Sequence, residues 1–112
     1  MRKDYNYLAE KFSILIHGLV VGKGNVKERL LENSIVLHTV LGLTFPNPLE
    51  EKKEKIIKQL TKFPALVSDD KMIWSSYDRT IMKIRKNTAV RITENIYNLY
   101  VEFTFHYKTE LN

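Results

Sequence analysis

The sequence predicts an all-α fold: a bundle of about five helices that begins with an antiparallel helical hairpin, in one domain spanning residues 1–112. Two observations carry this prediction. Hydrophobic residues recur every three or four positions along most of the chain, and glycine, proline or helix-capping residues separate these segments. The length of 112 residues suits one hydrophobic core, and a content of 44% hydrophobic and 28% charged residues is ordinary for a folded protein.

The first two helices are predicted to form the hairpin. Apolar residues at helical spacing extend over residues 5–21 and again over about 26–43. Between these segments, the glycines of the turn Gly22–Gly24 are suited to end a helix. Asn25, followed three residues later by Glu28, has the spacing of a capping box that begins the second helix. Because the connection is so short, the two helices are expected to pack antiparallel.

A third and a fourth helix are predicted in the middle of the chain. The third begins at Pro48 with Asn47 as its cap, and Pro64 ends it. Residues 65–67 are expected to cross the surface before Ser68 or Asp69 caps the fourth helix.

The fifth helix is predicted to begin at a Thr88 cap and to fray near residue 106. The segment 101–107 also alternates apolar and polar residues with the period of a half-buried strand. A strand there would need a pairing partner, and no other segment shows clean alternation. We therefore expect a helix, with a strand as the alternative.

The composition excludes several classes of site. The chain has no cysteine, so disulfide scaffolds, thiol nucleophiles and thiolate zinc sites are excluded, and the reducing cytoplasm is the expected location. No apolar run approaches the roughly 18 residues that a membrane-spanning helix needs. The charged start at residues 1–5 is unlike a signal peptide. We therefore expect a cytoplasmic protein that does not enter a membrane.

Two patterns invite a chemical interpretation but are better explained structurally. Residues 18–24 are one residue short of a phosphate-binding loop, and Gly24 replaces the required Ser or Thr. In the hairpin, Glu10 falls level with His38, which favours a hydrogen-bonded pair over a general base. His17 lies roughly 12 Å from His38 along the helix axis, too far to share a metal ion. We therefore predict no enzyme, cofactor, metal or small-molecule substrate. The one enzymatic alternative is a site assembled around Glu10 and His38 in an oligomer.

The junction of the fourth and fifth helices is the best candidate binding site. The net charge is +5, and Lys83, Arg85, Lys86 and Arg91 lie in a stretch without acidic residues. Such a junction suits contacts with nucleic-acid phosphates. Cations in the last turn of a helix also stabilise the helix dipole, so a purely structural role is the competing explanation. Nucleic-acid binding at residues 83–91 is therefore the alternative function.

The last helix has more apolar surface than one buried stripe requires. Residues 96–107 are apolar or aromatic on nearly all sides, which is typical of a central helix or of one covered by a second subunit. The predicted interface residues are Tyr97, Tyr100, Phe103, Phe105 and Tyr107. The first hypothesis is a small helical interaction or regulatory module that binds another macromolecule and self-associates, either as a homodimer or with a protein partner.

Overall fold

The structure, a computed structural model, describes the backbone of residues 5–111 and the side chains of residues 5–107. The charged start at residues 1–4 lies outside the described residues. The described chain contains six α-helices and a two-stranded β-hairpin, in the order α1 (Asn6–Val21), α2 (Val26–Glu32), α3 (Ser34–Leu41), α4 (Asn47–Leu60), β1 (Leu66–Ser68), β2 (Lys71–Trp74), α5 (Ser76–Lys83) and α6 (Lys86–Leu111). The predicted helical class is confirmed, whereas the helix count and the absence of strands were wrong.

The turn between α1 and α2 has the predicted chemistry. Gly24 adopts a φ of 86°, which an L side chain rarely takes. The Glu28 backbone N–H donates to Asn25 Oδ1 at 3.0 Å, and the Asn25 N–H donates to Glu28 Oε1 at 3.3 Å. Both halves of the capping box are therefore present, and they fix where α2 begins.

The predicted second helix is broken at Asn33 into α2 and α3. The Asn33 side chain donates to the Arg29 carbonyl at 2.8 Å, and its backbone leaves the helical region at ψ 15°. Gly18 of α1 lies directly against this break, because a Cβ at Gly18 would come within 2.1 Å of Asn33 Oδ1. As a result α1 packs mainly against α3, and the hairpin is bent rather than straight.

The start of α4 differs from its prediction by one residue, and the predicted side-chain cap is absent. Asn47 is the first helical residue and makes no side-chain cap. Glu50 instead accepts the N–H of Phe45, in the loop before the helix, at 2.6 Å. Lys53 is buried, and its Nζ donates to the Leu43 carbonyl at 3.0 Å and lies 2.9 Å from a Glu50 carboxylate oxygen. These contacts hold the loop before α4 against the helix.

Residues 66–74 form a β-hairpin, which the sequence interpretation missed. Strands β1 and β2 pair antiparallel, with a bulge between Leu66 and Val67 in the register. Asp69 and Asp70 form the turn at φ 51° and 62°, the backbone of a type I′ turn. Asp69 is thus a turn residue, and the cap of α5 is Ser75, whose Oγ accepts the Asp78 N–H at 3.1 Å.

Helix α6 is the longest element and runs without interruption through residues 100–107 to Leu111, so the strand alternative was wrong. It begins at Lys86, two residues before the predicted cap Thr88. Residues near its end meet the beginning of α1, because the ring of Phe103 lies 6.3 Å from that of Tyr5. The helix therefore runs antiparallel to α1 and closes one side of the core.

The buried side chains form one cluster that draws on every helix. Its aromatic centre is Phe12 of α1, Phe45 of the loop and Phe103 of α6, with ring centroids 5.8 to 6.1 Å apart. The largest fully buried side chains are Phe12, Phe45, Phe103, Leu15, Leu30, Leu37, Leu41, Leu60, Ile81, Ile92, Ile96 and Leu99. The helices therefore pack around aliphatic and aromatic side chains, with Lys53 and Thr80 as the buried polar residues of the described chain.

Candidate interaction surfaces

The five predicted interface residues do not share one surface. Tyr97 is 52% exposed and Phe105 is 71% exposed, whereas Tyr100 and Tyr107 are half-buried. Phe103 is only 1% exposed and lies in the aromatic centre of the core. Phe103 is therefore a core residue of the folded chain, and its side chain is not available for a partner.

The exposed apolar residues of α6 lie on the side opposite its buried residues. At about 100° per residue, Val90, Tyr97 and Val101 fall within about 40° of one another, and Phe105 extends the same stripe. Val90 and Val101 are 42% and 48% exposed. We call these four residues the outer face of α6. The sequence interpretation named only two of them, because it treated residues 96–107 as apolar on all sides instead of dividing them between two faces.

A groove between α1 and α6 adjoins the outer face. It has a volume of about 400 Å³, and it is lined by Ile16, Leu19 and Val20 of α1 and by Thr93, Glu94, Tyr97 and Asn98 of α6. Because Tyr97 belongs to both the groove and the outer face, the two surfaces adjoin. The exposed Glu94 lies on the same side of α6 and is the charged residue of this combined surface.

The predicted cations at the α5–α6 junction are all exposed. Lys83, Arg85 and Lys86 follow one another at the end of α5 and the start of α6. Arg91 and Lys86 are five residues apart, so their positions are separated by about 140° around the axis of α6. The structure therefore brings three of the four cations together and separates Arg91 from them.

Two further lysines join this site from distant parts of the sequence. Lys27 of α2 donates from Nζ to the carbonyl of Met82 at 2.8 Å. Lys62 and Lys83 hold their Nζ atoms 5.8 Å and 5.5 Å from the centroid of the same Phe63 ring. We call Lys27, Lys62, Lys83, Arg85 and Lys86 the basic corner. Among residues 5–107, no carboxylate lies within salt-bridge distance of any of these five cations.

The β-hairpin, which we call the arm (residues 66–74), has large apolar side chains on both faces. Cross-strand partners share a face, so Leu66 lies beside Trp74 and Val67 beside Met72. Leu66 and Trp74 are 40% and 41% exposed, and Val67 and Met72 are 57% and 66% exposed. The helices therefore cover neither face of the arm completely.

The histidines do not form the acid–base pair that the hairpin geometry suggested. His38 stacks on Tyr77 with ring centroids 4.7 Å apart, and Glu10 is exposed without a bond to it. Burial raises the pKa of the Tyr77 phenol, and the charge of Glu54 raises it further. Within residues 5–107, no three acidic or histidine side chains are grouped as metal ligands. Within one chain, Glu10 and His38 are therefore not paired.

No helix in the described part of the chain is both long enough and apolar enough to cross a bilayer. Comparison with known proteins finds no significant match to a family model, to a curated protein sequence or to a solved structure.

Proposed function

We propose that this chain is a non-enzymatic interaction or regulatory module of the cytoplasm that binds another macromolecule and self-associates through the outer face of α6. One observation carries the proposal. Fifteen large hydrophobic side chains among residues 5–107 are exposed, and nine of them lie on the outer face or on the arm. Contiguous exposed apolar surface of this kind marks interaction sites, whereas scattered single residues do not. The lack of cysteine supports the cytoplasm as the location.

A second copy of the chain is the proposed occupant of the outer face. Val90, Tyr97 and Val101 form a straight stripe, and a stripe on one helix is self-complementary when two copies meet about a two-fold axis. The outer face extends about 22 Å along α6 at about 1.5 Å per residue. A single helix face of that length is smaller than the roughly 800 Å² per partner of a standard interface. We therefore expect a homodimer that dissociates in the micromolar range.

Sedimentation velocity over a concentration series tests this proposal. The wild-type chain should shift from monomer to dimer as its concentration rises. Tyr97→Glu and Val101→Glu should each keep it monomeric, because a carboxylate in the contact loses its water without a cationic partner. Ile35→Glu is the matched control, since Ile35 is 85% exposed on α3 and lies off the outer face. A wild-type chain that remains monomeric at high micromolar concentration would refute the homodimer.

Nucleic-acid binding at the α5–α6 junction is the second candidate function. The observation that favours it is the assembly of the basic corner from α2, the loop after α4 and the junction itself, with no carboxylate of residues 5–107 within salt-bridge distance of its cations. If phosphates occupy this corner, the affinity for a mixed-sequence duplex should fall steeply with salt. Changing Lys83, Arg85 and Lys86 together to Gln should then flatten the salt dependence by about one contact per lost cation. Binding with the same salt dependence in the wild-type chain and the triple variant would exclude this candidate.

A further inference from the structure

The arm is unusual because it is apolar on both faces and stands away from the bundle. A hairpin normally buries one face against a core, and an isolated two-stranded hairpin is only marginally stable in water. In this arm the five large apolar side chains are 40% to 66% exposed, with Ile73 at 52%. Between two fifths and two thirds of the surface of each side chain is in contact with water, so a binding partner has substantial apolar area left to cover.

The residues just before the arm, Phe63 and Pro64, which we call its root, are hydrogen-bonded to α5. The Phe63 N–H donates to Thr80 Oγ1 at 3.1 Å, and Ser76 Oγ donates to the Phe63 carbonyl. Arg79 donates from its guanidinium to the Pro64 carbonyl at 3.1 Å. A sheet of two strands also has two outer edges whose backbone groups face no further strand. The arm therefore offers both apolar side chains and backbone hydrogen-bonding groups at a fixed place.

The charged residues near the arm indicate the charge of its partner. Lys62 and Lys83 flank Phe63 at the root, and the rest of the basic corner continues from there along the end of α5. The far end of the arm carries Asp69 and Asp70 in its turn. A segment that runs along the arm to its root thus meets apolar side chains first and then cations without carboxylate partners. Acidic side chains in the partner would satisfy those cations.

We propose that the arm binds an extended segment of a partner protein in which an apolar stretch adjoins a cluster of acidic residues, and that this segment adds a third strand to the hairpin. Backbone hydrogen bonds along a free strand edge provide affinity in this mode, and alternate side chains provide specificity. The inference rests on the proposed role as an interaction module, but it uses a surface separate from the outer face of α6. Five exposed apolar side chains contribute little to phosphate binding but suit an apolar peptide stretch, so a peptide is favoured over a nucleic acid.

The experiment begins with a random ten-residue peptide library displayed on phage and selected against the full chain. We expect enrichment of sequences in which a run of Val, Ile or aromatic residues adjoins a cluster of Asp or Glu. A synthetic copy of the most enriched peptide is then titrated into the protein. Trp74 is the only tryptophan and is 41% exposed on the arm, so its fluorescence should shift to shorter wavelength as the peptide covers it. The same peptide with every acid changed to Lys is the charge control and should bind at least about tenfold more weakly.

Two sets of variants locate the bound peptide. Val67→Lys with Met72→Lys removes one apolar face of the arm, and Lys62→Glu with Lys83→Glu reverses the charge of its root. Each pair should weaken binding at least about tenfold without changing the helical circular-dichroism spectrum, because neither pair is in the core. Val101→Glu, on the outer face of α6, should leave peptide affinity unchanged.

Several outcomes would overturn the inference. These are a selection that enriches no apolar run with adjoining acidic residues, arm variants that bind as tightly as the wild type, and a duplex that displaces the peptide at lower concentration than a second copy of the peptide does. Loss of dimers in the arm variants would also overturn it, since the occupant would then be a second copy. Peptide binding by a monomeric wild-type chain would refute the proposed homodimer alone, whereas a dimer without peptide binding would refute the arm alone.

Discussion

Truncation of Phe103 distinguishes a core residue from an interface residue at the end of α6. The Phe103 ring lies 5.7 to 6.3 Å from the rings of four aromatic neighbours, namely Tyr5, Phe12, Phe45 and Tyr107. Its side chain is 1% exposed, so Phe103→Ala removes the whole ring from a filled core. Loss of a buried phenyl ring costs about 3–5 kcal/mol of unfolding free energy, from lost burial together with the cavity that remains.

Phe105→Ala is the matched control, because it is the same chemical change two residues along the same helix. Phe105 is 71% exposed, so most of its ring contacts water in the folded chain as well as in the unfolded chain. Surface substitutions of this kind usually change stability by no more than about 0.5 kcal/mol. The two variants should therefore differ by about 2.5 kcal/mol or more, although Phe105 is the residue with more apolar surface available to a partner.

Urea unfolding followed by circular dichroism measures this difference. The experiment is run at two low protein concentrations, so that any contribution from dimers appears as a concentration-dependent midpoint. The wild type and both variants should share one m-value, because each exposes nearly the same surface on unfolding. Equal losses for the two variants, or a loss below about 1 kcal/mol for Phe103→Ala, would refute the placement of Phe103 at the centre of the core.

Two further predictions concern a helix cap and a buried phenol. Asn25→Ala should lower the unfolding free energy by about 0.5–2 kcal/mol in urea titrations. Asn47→Ala, which removes no cap, is the control and should change it by less than about 0.5 kcal/mol. Equal effects would mean that the cap of α2 is misassigned. Burial, reinforced by Glu54, raises the pKa of the Tyr77 phenol above its usual 10.0, so the folded state holds that proton more tightly than the unfolded chain does. This stabilisation is present below pH 10.0 and is lost as the pH rises through the raised value. Tyr77→Phe should therefore reduce the loss of stability that the wild type shows at alkaline pH. It should also remove one late-ionising phenol from the tyrosinate absorbance titration. An unchanged titration would show that Tyr77 ionises like an exposed tyrosine.

Features that depend on neighbouring residues in the chain were predictable. The capping box of α2 needs only two residues three positions apart, and the bounds of α1 follow from its apolar spacing and the glycines after it. The arm was not predictable in the same way, because its strands have three and four residues and a bulge interrupts their alternation. Its turn also carries two aspartates instead of the Asn-Gly pair typical of type I′ hairpins.

Features that depend on which elements meet were not available from the sequence. Asn33 has neither glycine nor proline beside it, and the break there coincides with the close approach of α1 at Gly18. Lys27 belongs to the basic corner because it donates to a carbonyl of α5, and Lys62 because it lies over the ring of Phe63, beside Lys83. Lys27 and Lys83 are too far apart in the sequence for any local pattern to predict that they meet. The division of α6 into a buried and an exposed side could not be predicted either, because its residues 96–107 are apolar nearly all round.

The sequence by itself determined the helical class, the first turn and the positive charge at the α5–α6 junction, because periodicity, caps and charge runs are properties of adjacent residues. Only the tertiary structure decided which apolar residues of α6 are core and which are surface. That division depends on where α1 and α4 pack against the helix: Phe103 is turned into the core, and Tyr97 and Val101 are turned away from it. The candidate interaction surfaces are the apolar side chains that remain after the core has been filled, so the packing had to be known before they could be found.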